Sequence, residues 1–382
     1  MTMPEPRFLQ IHFLAPYTAA LLNRDDSGLA KGLPYGGAMR SRISSQCLKR
    51  HWRVADDPHA LERIEGVERI DGKDAFRSRE TIDRLVLRDL AETVDEKVLE
   101  PIRDVFLTTV YGDKGKDKTS RQTLLLGAPE IAYLREAAAG MVAEAAGDAD
   151  KAKEIAKEWA KAHKGNLKAM AANARMPAGL VGALFGRMVT SDPNANITAP
   201  VHVAHAFTVH EEEDESDYFT AVDDLARDDE TGADTIQETE LTSGLYYGYV
   251  VVDLPGLIAN LGGDRELAGR VLHNLIYLIA EVSPGAKLGS TAPYSRASLM
   301  LLEAGDRQPR SLAEAFRTPC APDTGAAVTA LSAHLRALDE AYATGEERRF
   351  MALTNHDLPG AERVSLADLA AWAQGLPARL GA

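Results

Sequence analysis

The residues best able to do chemistry lie between Asn23 and Arg53, where seven Lys or Arg stand against two Asp in a chain of formal net charge −14. Gln46, Lys49, Arg50 and Arg53 recur at i, i+3, i+4 and i+7, one face of a helix. Leu48 and Trp52 fall on the opposite side and would dock that helix on a core. Ser44 or Ser45 is the expected N-cap, because a serine hydroxyl satisfies an orphan N–H of the first turn. A helix start with free N–H groups and a positive dipole end suits phosphate; a solvated basic helix is the plainer reading. Asp25 and Asp26 suggest a second chemistry, since adjacent carboxylates beside a bound phosphodiester could hold a divalent metal and activate a hydroxyl or water.

The elements that position these residues can be read coarsely. Phe8 to Leu14 alternates as a first strand that Pro16 interrupts. A loop punctuated by Gly28, Gly32, Pro34, Gly36 and Gly37 follows, then a strand from Met39 to Ile43 running into the basic helix. Residues 58–176 are expected to be largely helical, with a loop at Gly112 to Lys118. Strands return at Ile197 to Val209, Ser243 to Leu254 and Leu299 to Leu302. Arg265 to Val282 is a helix stopped by Pro284 and Gly285, and about the last 70 residues are helical, with Leu331, Leu335 and Leu338 on one stripe. Strand and helix interrupted by a helical stretch point to an α+β core with an insertion.

A second basic tract runs from Lys151 to Met170. Its lysines Lys153, Lys157, Lys161, Lys164 and Lys168 lie roughly opposite the apolar face of Ile155, Trp159 and Leu167, either as a solvated face or as phosphate contacts. His202, His205 and His210 resemble metal ligands, but the i, i+3 pair would point to opposite faces of a strand, so no metal is expected. The segment Gly285 to Thr291 has the letters of a phosphate loop in the wrong order; only Lys287 is kept as a phosphate contact. Tyr246, Tyr247 and Tyr249 are expected to pack a central strand rather than stack on bases.

The chain of 382 residues can bury a sizeable core, and its composition is that of a folded soluble protein. Cys47 and Cys320 form neither a disulfide framework nor a zinc spacing. No signal peptide or bilayer-length apolar run is present, so a cytoplasmic location and no membrane partner are expected. The acidic balance is local: Glu211 to Glu240 carries fourteen Asp or Glu and one Arg, nearly all of the net charge. The remaining body is close to neutral and can bind a polyanion through its basic tracts.

NRDD (Asn23 to Asp26), Gly36-Gly37 and RISSQCLKR (Arg42 to Arg50) resemble the N-terminal signature of the CasC family, the RNA-binding backbone subunit of type I-E CRISPR Cascade. FGRM (Phe185 to Met188), DYFTAVDDL (Asp217 to Leu225), SGLYYGYVVVDL (Ser243 to Leu254) and PGAK (Pro284 to Lys287) follow in that family's order. The resemblance implies a modified RNA-recognition-motif (ferredoxin-like) palm of residues 1–60 and 177–382. It also implies a thumb hairpin at about 209–240 and a helical finger at 61–176. It implies a non-catalytic subunit, without cofactor, that polymerises head-to-tail along crRNA. There it would hold the guide for target DNA pairing and R-loop formation in antiviral defence, beside other Cascade subunits. RNA contacts implied are Arg24, Lys31, Ser44, Gln46, Lys49, Arg50, Arg53 and Lys287, with Phe219 and Thr220 as a thumb wedge supported by Met188. Lys153, Lys157, Lys161 and Lys164 would meet target DNA. Alternatives left open are a metal-dependent RNA endonuclease using Asp25 and Asp26, a subunit for guided transposition, and a general single-strand RNA-binding module.

Overall fold

A computed structural model describes residues 5–162, 176–189, 193–221 and 235–381; the side chains of 219–221 and 235–237 are outside the description. The architecture is mixed α+β. In chain order the strands are β1 (Phe8–Ala20), β2 (Gly32–Tyr35), β3 (Ala38–Ile43), β4 (Ala75–Ser78), β5 (Leu124–Gly127), β6 (Val201–Val203), β7 (Ala206–Thr208), β8 (Glu213–Ala221), β9 (Thr235–Asp253), β10 (Leu299–Gly305), β11 (Glu347–Ala352) and β12 (Ala361–Arg363). The chain divides into two compact units, one of residues 1–61, 202–254 and 269–382, the other of 62–201 and 255–268.

The first unit is built on a large sheet ordered β12-β11-β10-β1-β9-β7-β3-β2, with β8 paired to β9. β1 lies between β10 and β9 and is antiparallel to both. Residues Leu9 to Ala15 are all buried, as expected of a central strand covered on both faces. Pro16 does not end this strand as the sequence predicts. β10 pairs with β1 only up to Leu14, so Pro16 has a partner on the β9 side alone and its missing N–H breaks no ladder there. Leu14, Phe207, Tyr247, Leu301, Phe316, Leu331, Leu335 and Phe350 join one core under helix Thr324–Tyr342.

The β2–β3 hairpin turns on Gly36 and Gly37, both at positive φ, which the right-handed twist of the two strands favours. A Cβ on Gly36 would lie 1.6 Å from the Arg317 carbonyl oxygen, so no other residue fits. Two strands in the C-terminal region are absent from the sequence expectation. In β11, Arg348 faces inward beside Phe350, and a buried arginine disguises the apolar alternation that marks a strand.

That arginine belongs to a buried polar network. Glu303 accepts hydrogen bonds from Arg348 Nε at 2.6 Å and from Arg310 at 2.6 and 2.8 Å, and meets His12 Nε2 at 3.0 Å. His12 Nδ1 lies 2.9 Å from the Tyr247 hydroxyl, which also accepts the Leu312 N–H. Arg348 reaches Asp339 as well. Burial would raise the Glu303 carboxyl, but the hydrogen bonds from Arg310 and His12 hold it well below the usual range.

The second unit packs α2 (Arg88–Ala91), α3 (Glu96–Tyr111), α4 (Ala128–Ala145) and α5 (Ala149–Ala162) around the small β4–β5 sheet. Phe106, Ile102, Leu126, Ile131 and Leu134 form its core, against which Trp159 packs. Inside it Arg187 makes a buried ion pair with Glu130 at 2.7 Å. Residues 177–201 cluster with this unit.

Candidate nucleic-acid interface

α1 (Ser45–Arg53) forms where the spacing predicts. Ser44 is its N-cap and accepts the Cys47 N–H, while Leu48 and Trp52 are buried. Gln46 and Arg50 are exposed, and Lys49 and Arg53 are half-buried. The start of the helix differs from the expectation of free N–H groups. Ser45 N–H donates to His205 Nδ1 at 3.1 Å, Cys47 N–H to Ser44 Oγ, and Leu48 N–H to the Ser44 carbonyl. The Ser44 N–H itself is taken by Asn23 Oδ1 at 2.8 Å. The helix dipole still favours an anion, but with three of the first four N–H groups taken, contact with one falls largely to side chains around this end.

Those side chains form a cationic cluster. The Lys31 carbonyl accepts the Arg42 N–H, which ties the β2 entry to β3. Arg42 lies 3.2 Å from His205 Nδ1. Partial burial, and then the charges of Arg42, Lys31 and Lys49, lower the His205 pKa from its ordinary 6.5. A concave site beside the cluster is lined by Asn23, Arg24, Lys31, Arg42 and Glu240. The sequence pattern does not single out His205 in this cluster, because three histidines so close together suggest only metal ligands and its neighbours come from distant segments.

Not every residue of the basic tract is available to a ligand. Arg40 is fully buried and donates to the carbonyls of Thr208, His210 and Phe316, so its charge is committed to the fold. Arg24 is exposed in the loop and bridges to Ala30. Asp25 Oδ1 accepts the N–H groups of Ser27 and Leu29, and so shapes that loop. Lys287 is exposed and donates to Thr239 Oγ1 at 3.0 Å. Among the described residues no group of three or more His, Cys, Asp or Glu is placed to hold a metal ion.

The remaining expected contacts lie elsewhere. β8 and β9 make a long antiparallel hairpin in the first unit, where the backbones of Phe219 and Thr220 pair with Gln237 and Ile236. Tyr218 is exposed on this hairpin. At its base the carboxyl of Asp214 is pushed up to about 6, first by burial and then by Glu212 and Glu240. Met188 belongs to the second unit and is 69% exposed, unusual for methionine. Lys153, Lys157 and Lys161 are all exposed on α5, and Ala152 and Ala156 are buried behind them. Lys164 and Lys168 lie outside the described residues. No described helix is long and apolar enough to cross a membrane.

Comparison with known proteins relates the chain as a whole to others. The chain is similar over 96% of its length to a whole chain of a solved "CRISPR RNA-guided surveillance complex, pre-nicking", with 26% identity and a TM-score of 0.73. A chain of a second "CRISPR RNA-guided surveillance complex" shares the fold at 21% identity and a TM-score of 0.58, over 96% of this chain and 99% of that one. No curated protein matches the sequence. The CT1975-like protein family matches residues 9–374, nearly the full length, and the chain belongs to that family.

Proposed function

We propose that this protein is the non-catalytic backbone subunit of a type I-E-like Cascade complex, polymerising head-to-tail along crRNA and presenting the guide to target DNA. The observation that carries this reading is the cationic cluster of Lys31, Arg42 and Lys49 at the start of α1. Family membership and the likeness to surveillance-complex chains support it. In this reading the first unit is the body of an RNA-recognition-motif-like palm with the β8–β9 hairpin as its thumb, and residues 61–176, which lie almost wholly in the second unit, are the finger. The palm grips the RNA backbone, and sequence is read by base pairing rather than by these side chains. A head-to-tail contact is heterologous, so copies add along the RNA as a helix until capped. The α5 lysines face target DNA, and the complex works in the cytoplasm in antiviral defence. Asp25 accepts two backbone N–H groups, which supports a loop-shaping role over a catalytic one.

Co-expression with a CRISPR array and the companion subunits tests the proposal. Sequencing of the RNA in the purified complex should return one length class, a spacer flanked by fixed repeat ends. A broad mixture of cellular RNA would overturn the guide-specific reading and leave a general RNA-binding module. If the wild type cuts bound target RNA with added magnesium and the Asp25→Asn, Asp26→Asn double variant does not, the subunit is a nuclease instead.

A further inference from the structure

His205 sits between β6 and β7, where the β3–β7 pairing of Arg42 with Phe207 and Ile43 with Ala206 brings it beside the first residue of α1. Its Nδ1 receives the Ser45 N–H at 3.1 Å and faces Arg42 at 3.2 Å. A backbone N–H can only donate, so Nδ1 is the acceptor and the ring proton is on Nε2. The ring is exposed, and among the described residues nothing accepts from Nε2. Partial burial, and then the charges of Arg42, Lys31 and Lys49, disfavour a second proton and lower the pKa from its ordinary 6.5, which favours the neutral ring at pH 7 and above. The result is an oriented, uncharged N–H donor inside a ring of cations.

We propose that His205 is a contact to the RNA backbone, its Nε2–H donating to a sugar-phosphate oxygen of the strand held by Lys31 and Lys49. The assignment rests on the RNA-binding reading above and adds a residue of a different kind to it. Cations release counterions when they meet phosphate; a neutral donor does not. His205 therefore contributes affinity that salt does not remove.

The test titrates the full-length chain with a labelled single-stranded RNA of about 30 nucleotides at several salt concentrations. His205→Asn keeps an acceptor near the Nδ1 position for Ser45 and deletes the outward donor. His205→Gln does the reverse, keeping a donor near Nε2. The expected result for His205→Asn is a loss of roughly three- to tenfold at every salt concentration, the size of one hydrogen bond, with slope and melting temperature unchanged. His205→Gln should retain most of the affinity, and Lys49→Ala should lower the slope. Repeating the titration with DNA of the same sequence separates the two oxygens: a loss confined to RNA assigns the 2′-oxygen, a loss on both assigns phosphate. If Lys49→Ala lowers the slope while His205→Asn binds as the wild type does, His205 is only a cap for α1 and the inference fails. If even the wild type shows no salt-dependent binding, the functional reading fails with it. Should either variant misfold, nitrogen-15 histidine spectra of the wild type decide: added RNA should shift the Nε2–H resonance of His205, and an unmoved resonance refutes the contact.

Discussion

At the scale of single residues the buried charges make the sharpest predictions. Glu303 has no exposed side-chain surface, and two arginines depend on it. Glu303→Gln removes the charge that Arg310 and Arg348 share, leaving Arg348 with Asp339 and, at 3.6 Å, Glu346, and should cost about 3 kcal/mol, measured by urea unfolding at neutral pH. The same network sets a pH dependence. The Glu303 carboxyl is held well below its ordinary 4.5, so its contribution is full above 4.5 and is lost progressively as pH falls from there through its lower folded value. Burial lowers His12 from 6.5, so the unfolded chain takes up protons first and stability begins to fall below that value. Both act in the same direction, and in an Asp214→Asn background, which removes an opposing group, stability should decline from about pH 6.5 downward; a flat profile to pH 4 there would contradict the network. Asp214 has the opposite sign. Its folded carboxyl is raised to about 6 from 3.8, so its relative contribution is full below 3.8 and is lost as pH rises through 6. Asp214→Asn should therefore raise the melting temperature at pH 8 and change little at pH 3.5.

At the scale of elements, α1 was legible because its cap, its basic face and its two apolar anchors all agree with one helix. Its N–H partners were not, since Asn23 and His205 come from distant chain segments and no local pattern names them. β1 beyond Pro16 and β11 were hidden for similar reasons: a proline tolerated by a missing neighbour, and an inward arginine balanced by Glu303. The element itself can be tested against α5. Lys49→Ala with Arg50→Ala should weaken RNA binding of any sequence and lower the salt slope by roughly 0.7 per lost phosphate contact. Lys153, Lys157 and Lys161 reversed to Glu should leave that slope intact and slow capture of duplex DNA by the assembled complex at low salt. Equal losses of RNA binding from both sets would remove the division of labour between the two tracts.

For the whole molecule, the acidic stretch that dominates the net charge was legible as a local feature, and the structure builds its two ends into one hairpin, β8 with β9. The wedge assigned to Phe219 and Thr220 predicts that guide–target pairing along a filament is interrupted at a fixed period. An aromatic ring that replaces one lost stack contributes about 1–3 kcal/mol per base. Mismatches at the displaced positions should then cost almost nothing in target binding, whereas their neighbours carry the full penalty. A scan with uniform penalties at every guide position would return Phe219 to an anchoring role in the hairpin.

β9 is one strand that changes partners along its length. From Thr235 to Ser243 it pairs with β8, and from Thr242 to Asp253 it pairs with β1 at the buried middle of the sheet. Opening the outer half breaks one ladder beside solvent, whereas opening the inner half requires the core to come apart. Amide hydrogen exchange should therefore divide this strand near Thr242. Amides in the described part of its outer half should exchange through local fluctuation, and those of Val250 to Val252 only when the whole unit unfolds. A copy clamped by RNA and a neighbour would slow the first group and leave the second as it was, so the strand reports its own assembly.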